Sequence, residues 1–366
     1  VGVIAGEMER DTTGVGRYLS GLLGGLTRWD HGCEWVLFFQ GEPFDHPLFR
    51  EGAFETRFSR FPGHPVFWEQ WVLPRQLRGQ RLDLLFAPAY AIPFGIRVPT
   101  VVTIHDLSFE RFPEDFGRRE LWRRRLLARR AARVAQRVLT ESGHIAAELQ
   151  ATYGVDSRRL GVVPIGITRD IQVTDPEQHL ESIGVRPPFL LVAGTVLDRR
   201  LPALTLEVFA EIARERSDLQ LVFAGANRLR RPQRLDAWVE QKGLAGRVRL
   251  LGWVEDSRLA ALYGAAELTL YLSTYEGFGI PPLESLACST PAVVGPGLAL
   301  DEVWPDYPFR VSEIERGQVS AMVRRVLEGP AEVSAVVRSA EPVLARMDWE
   351  TSSRLLVSEL ERALEP

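Results

Sequence analysis

The stretch EGFGIPPLE sets Glu276 and Glu284 eight residues apart, with Gly277, Phe278, Gly279 and a Pro281–Pro282 pair between them. The preceding run ELTLYLS reads as a strand ending near Ser273, and PPLESLACS as a helix opening at Pro281 or Pro282, because proline is favoured in a first helical turn. Glu284 then falls in that first turn and Glu276 in the strand-to-helix loop. Gly277 and Gly279 allow the backbone close to a ligand, and a helix start offers unpaired N–H groups and a positive dipole end that suit a phosphate. Carboxylates repel phosphate, so two acids bracketing such a seat would instead accept hydrogen bonds from hydroxyls, one on a ribose and one on a sugar beyond the diphosphate. That describes a nucleotide-sugar site. Either glutamate taken alone fits an ordinary helix start or a solvated loop acid equally well.

The elements that must position this stretch are repetitive. Apolar runs VGVIA, WVLFF, LDLLFA, PTVVTI and RVLT alternate with helical patterns in the first half, and FLLVAG, LQLVFAG, VRLLG, ELTLYLS and TPAVVG do so in the second. Continuous apolar strands separated by helices imply parallel sheets covered on both faces. The chain of 366 residues is thus expected to be α/β, with two doubly wound Rossmann-like domains and a ligand cleft beyond their strand ends. The polar, Pro-bearing segment from Thr168 to Pro188 reads as the linker, which sets domains at 1–167 and 168–348. A last amphipathic helix, residues 349–366, carries apolar positions Leu355, Leu356, Leu360 and Leu364 and either caps the second domain or crosses back to the first.

Composition excludes several classes. A formal charge of −4 gives no whole-protein reason to expect nucleic acid. Cys33 and Cys288 lie far apart and outside metal-ligand spacing, so no disulfide framework or zinc site is expected. A cytoplasmic setting fits, with no signal peptide and no apolar run long enough to span a bilayer. Lys242 is the single lysine, and the other basic residues are arginines.

YLSTYEGFGIPPLESLACSTPAVV resembles the E-x7-E signature of the group 1, or family 4, retaining glycosyltransferases, which have the GT-B fold. TTGVGRYLSGLL, TVVTIHDLSFERFPEDF, VVPIGI, LLVAGTVLDRRLPAL, LQLVFAGA and VRLLGWVEDSRLAALYGAAE follow the same pattern in order, from about Val1 to about Val303. Within the family the likeness is to bacterial mannosyltransferases of O-antigen and exopolysaccharide assembly. The resemblance implies that Glu276 faces the donor sugar and Glu284 holds the ribose hydroxyls, and that backbone at Gly277, Phe278 and Gly279 meets the phosphates. It sets Arg199 and Arg200 on the family's Arg-Lys pair that stabilises the leaving diphosphate, His105 against the donor sugar, Gly14 and Gly16 over the phosphates, and Gly252, Trp253 and Val254 at the base. Three positions depart from the family: Leu201 stands where Asn is frequent, Ile165 interrupts I-P-N-G, and Ser289 replaces the Gly of A-C-G-T.

The implied activity is retaining transfer of a hexose, mannose from GDP-mannose in the nearest reading, to a glycan or lipid-linked acceptor. No cofactor is expected, and no metal, because no Asp pair has D-x-D spacing. A phosphorylase or epimerase on the same scaffold, or a non-catalytic nucleotide-sugar binder, are the rival readings. RRELWRRRLLARRAARVAQRVL, from Arg118 to Leu139, carries nine arginines and no acid after Glu120. As one helix it sets Leu121, Leu127, Ala128, Ala131, Ala135 and Val138 toward one side, leaving either a solvated basic face or a docking surface for an anionic membrane at its inner face. Arg123, Arg124, Arg129 and Arg130 are the arginines expected to carry that docking.

Overall fold

The computed structural model describes residues 1–9, 14–42, 44–50, 52–168, 173–297 and 299–365. Thr12 and Thr13 of TTGVGRY, and positions 169–172 of the expected linker, lie outside the described residues. The chain divides into two compact units, residues 1–166 with 347–366, and residues 167–346.

The first unit is built on a seven-stranded sheet in the order β3-β2-β1-β4-β5-β6-β7, with every pairing parallel. Its strands are β1 (Gly2–Ile4), β2 (Val36–Phe39), β3 (Glu55–Phe58), β4 (Leu85–Ala87), β5 (Thr100–Thr103), β6 (Arg137–Thr140) and β7 (Leu160–Val162). Val102 pairs with Ala87 on one side and Val138 on the other, and all three are buried. Helices on both faces remove the central strands from water, so no polar alternation is needed there. The second unit carries a five-stranded parallel sheet in the order β10-β9-β8-β11-β12. These strands are β8 (Phe189–Ala193), β9 (Gln220–Ala224), β10 (Val248–Gly252), β11 (Leu268–Tyr271) and β12 (Ala292–Val294).

In each sheet the strand order reverses once, between β1 and β4 and between β8 and β11. At such a switch point the connections leave in opposite directions and open a crevice beyond the carboxyl ends.

The last helix, Trp349–Arg362, belongs to the first unit and packs on the helix Gly14–Leu26. Close approach depends on glycine: a Cβ on Gly25 would collide with the Trp349 carbonyl and the Ser353 hydroxyl. Ser353 Oγ donates to Leu22 O (2.7 Å) and Ser352 Oγ to Pro164 O (2.6 Å), while Glu359 pairs with Arg137. Of the four leucines expected on its apolar face, Leu356 and Leu360 are buried but Leu355 and Leu364 are exposed. The buried stripe takes in Ser352, Ser353, Val357 and Glu359 beside those two leucines, with Ser353 lying where Gly25 lets the helices approach.

Two other expectations are corrected. The stretch 168–188 is not a bare linker: a helix over Pro176–Ser182 starts at Asp175, whose carboxylate accepts from Gln178 N, and buries Leu180 in the second unit. The arginine-rich helix ends at Val134, not Leu139, because Ala135 turns extended and Arg137 begins β6. No helix of the described residues is long and apolar enough to cross a membrane.

Candidate functional site

In the second unit, Arg199 and Arg200 follow β8 and Glu276 follows β11, so the switch point brings them together. Glu276 is buried, with 8% of its surface exposed. Its Oε1 accepts from Arg200 Nε (2.7 Å) and Ser273 Oγ (2.9 Å), and its Oε2 accepts from Arg200 Nη2 (3.2 Å). Arg200 also donates to Thr195 O (3.0 Å) and to the Tyr271 hydroxyl (3.0 Å). Burial alone would raise the Glu276 carboxyl; Arg200, Arg199 and the Ser273 hydroxyl outweigh it and hold the group below the ordinary range. Burial likewise disfavours the Arg200 charge, and the Tyr271 oxygen and Glu276 carboxylate more than offset it.

The two arginines are therefore unlike. Four donor contacts already occupy the Arg200 fork, which has five N–H groups in all. Arg199 donates only Nε, to Tyr275 O (3.2 Å), and among the described residues its two terminal amino groups meet no protein acceptor. Its carbonyl accepts from Thr274 N (3.0 Å), tying the β8 loop to the β11 loop.

The helix Pro281–Ala287 opens where expected, but its first turn is a poor phosphate seat. Pro281 and Pro282 have no N–H, while Leu283 and Glu284 both donate to Ile280 O. Donors at this position must come from the loop backbone at Phe278 and Gly279. Gly279 sits at φ +84°, a left-handed conformation that glycine adopts without strain. Glu284, in the first turn, accepts from the Tyr263 hydroxyl (2.9 Å) and lies near Cys288, whose thiol burial and Glu284 together push up to about 11. Gly252 ends β10 at φ +68°, and Trp253 behind it is half exposed.

In the first unit, Gly14 opens a helix whose buried residues include Gly16 and Tyr18. A Cβ on Gly14 would meet no atom within 4 Å, so packing does not require glycine there. Tyr18 sets its ring edge-on to His105, with centroids 5.1 Å apart. His105 follows β5; its Nδ1 contacts the Glu141 carboxylate and its Nε2 lies 2.7 Å from Pro88 O. With Glu141 ionised both partners are acceptors, an arrangement that favours a proton on each ring nitrogen. Burial opposes that charge, but Glu141 and the Pro88 carbonyl prevail and raise the histidine above its ordinary value.

Leu201 and Ser289 are both left-handed, at φ +51° and +63°. The departures from Asn and Gly thus fall at two positions whose backbone favours those residues, whereas Ile165 is simply a buried side chain. Among the described residues no cluster of three or more His, Cys, Asp or Glu could hold a metal ion.

Two family models match in sequence order, one described as Glycosyltransferase Family 4 over residues 12–170 and the other as Glycosyl transferases group 1 over residues 177–330. The chain belongs to this glycosyltransferase family. A D-inositol 3-phosphate glycosyltransferase of Catenulispora acidiphila is 29% identical over 244 residues, 63% of this chain and 57% of its own. The O-antigen chain mannosyltransferase RfbU of Salmonella typhimurium is 22% identical over 257 residues, 70% of this chain and 67% of its own. The match thus spans little more than half the length of the first of these relatives. A solved structure of Anabaena HepE in complex with UDP and glucose superposes with a TM-score of 0.73 over 98% of both chains at 16% identity, which shows a shared GT-B fold. For this glycosyltransferase, sequence reasoning missed Tyr271, Ser273, Tyr263 and Glu141. Of these only Ser273 sits close in sequence to the acid it bonds; Tyr271 bonds Arg200 71 residues away and Tyr263 bonds Glu284 across 21, and the only signal for Glu141 was a carboxylate ending the apolar run RVLT.

Proposed function

We propose that the protein transfers a hexose, with retention, from a nucleoside-diphosphate sugar to a glycan or lipid-linked acceptor. The observation that carries this reading is the buried Glu276–Arg200 pair at the β8/β11 switch point, with the Arg199 fork open beside it. Glu276 accepts hydroxyl hydrogen bonds from the donor sugar, and Glu284, oriented by Tyr263, accepts those of the ribose. Arg199 and backbone at Gly277, Phe278 and Gly279 neutralise the departing diphosphate; Arg200 adds its charge while holding Glu276 in place. Gly252, Trp253 and Val254 meet the base. From the first unit, Gly14 and Gly16 are assigned to the phosphates and the His105 imidazolium to the sugar. The arrangement is preorganised electrostatic stabilisation of the leaving group.

In the step, the bond from the anomeric carbon to the diphosphate oxygen breaks. The acceptor oxygen bonds the same face, and the acceptor proton passes to the departing phosphate. Glu276 is a poor covalent nucleophile, since both its oxygens are hydrogen-bonded and its basicity is depressed. Mannose is the favoured sugar because the Salmonella relative carries that name.

A donor screen tests the reading: GDP-mannose and UDP-sugars are compared by thermal shift, then by transfer or donor hydrolysis with the purified protein. Binding and turnover of one donor are expected. Phosphate-dependent release of sugar 1-phosphate would replace transfer by phosphorolysis, and binding without turnover would leave a nucleotide-sugar binder.

A further inference from the structure

The arginine-rich helix Arg118–Val134 does not present a uniform basic face. Arg124 pairs with Glu120 (2.8 Å), with its guanidinium over the rings of Tyr90 and Phe116. Arg125 and Arg129 both pair with Glu110 (2.7 and 3.1 Å). Arg130 donates to Ile92 O (2.6 Å) and Pro93 O (3.2 Å) and stacks over Phe94. Of the four arginines expected to dock on a membrane, three are therefore engaged within the first unit. Arg118, Arg119 and Arg123 are different: among the described residues none has a hydrogen bond or ion pair with the protein.

Those three rim a groove of about 590 Å³, lined otherwise by apolar Val66, Phe94, Trp122, Leu126 and Leu127 with Gln70. Of its lining, Trp122 is 68% exposed, Phe94 46% and Leu126 44%, and two further large apolar side chains, Trp71 at 61% and Phe67 at 59%, also stand in water. Phe67 and Trp71 follow directly on the lining residues Val66 and Gln70. A cluster of this kind on one unit marks an interaction surface. No acid lines it; in flanking positions Glu120 is paired with Arg124, and Glu69 is pushed up to about 7 by burial and Glu7 against the opposing pull of Arg123.

We infer that this groove and its aromatic rim, not the arginine helix as a whole, seat the protein on a bilayer surface containing anionic lipid. Tryptophan and phenylalanine beside unpaired arginines match the depth profile of a headgroup layer, where rings lie at the apolar boundary and guanidinium groups meet phosphate. The charge complementarity is local, which is how a chain of net charge −4 can bind an anionic surface. The inference goes beyond the transferase reading and stands apart from it, because vesicle binding is measured with neither donor nor acceptor present.

The test is co-sedimentation of the full chain with phosphatidylcholine vesicles, with and without phosphatidylglycerol, at low and high salt, alongside tryptophan fluorescence. Binding to the anionic vesicles at low salt with a blue shift is expected. Each basic residue near an anionic surface is worth roughly five-fold in partitioning, so Arg118→Gln, Arg119→Gln and Arg123→Gln together should weaken it about 10²-fold. Trp71→Ser with Trp122→Ser should also weaken it and abolish the blue shift. Arg111→Gln with Arg129→Gln removes arginines already paired with Glu148 and Glu110 and should change little. Absence of vesicle binding, indifference to lipid charge or salt, or equal losses in the control pair would overturn the inference. So would concentration-dependent dimers without lipid that the Trp71 and Trp122 substitutions disperse, since the occupant would then be a second copy.

Discussion

Replacing Glu141 by glutamine isolates one charge in a fixed geometry. Glu141 is 2% exposed and touches His105 Nδ1, while Pro88 O receives the other ring nitrogen at 2.7 Å. The amide introduced by Glu141→Gln can still accept a hydrogen bond but carries no charge. An adjacent opposite charge moves a titration by roughly 1–3 pH units, and burial, the largest opposing effect at His105, remains in the variant. The wild-type histidine should therefore titrate above its ordinary value of about 6.5, and the variant at or below it. At pH 7 the variant imidazole would be mostly neutral, its Nε2–H still donating to Pro88 O and its Nδ1 accepting from the new amide, so the hydrogen bonds persist while the charge is lost. A raised folded pKa means that the stabilisation is complete below about 6.5, the unfolded value, and is lost as pH rises through the folded value. The variant should lack that window. Long-range imidazole nitrogen spectra across pH read the His105 midpoint, and urea unfolding at several pH values reads the linkage. A midpoint unchanged by Glu141→Gln, or a wild-type midpoint below the ordinary value, would refute the reasoning.

Glu276→Gln should lower turnover by ~10² to 10³ with little change in donor affinity, the usual cost of one preorganised polar contact; normal turnover would make the pair structural. Arg199→Ala should weaken binding of nucleoside diphosphate but not nucleoside, by calorimetry. Arg200→Ala should instead destabilise the fold by about 3–5 kcal/mol in urea, because it leaves a buried carboxylate without its partner; indistinguishable effects of the two would contradict their assigned difference. Leu201→Asn and Ser289→Gly should each stabilise by about 1 kcal/mol, since both relieve a left-handed backbone at φ +51° and +63°. Unchanged urea midpoints would show that the surroundings already absorb the strain.

Much of both sheets was legible along the chain because ten of the strands lie in largely apolar runs, and for the central ones burial on both faces leaves a signal that needs no partner to be seen. β3 and β7, ETRF and LGV, escaped notice as edge strands: each is short, and water on one side admits polar or small residues. The acids, the arginines and the glycine loop between the acids were also visible, being close in sequence to strand ends. Which arginine is open and which is held by Glu276 was not, because that depends on β8 and β11 being neighbours although β9 and β10 lie between them along the chain. The same holds for the last helix, whose serines donate to carbonyls far earlier in the chain, with Ser353 and its acceptor Leu22 standing 331 residues apart. It holds too for the arginines of the first unit. Their number and helical spacing are properties of the sequence; which of them remain open to a ligand or a surface is decided by acids and carbonyls that only the folded chain brings within hydrogen-bond reach.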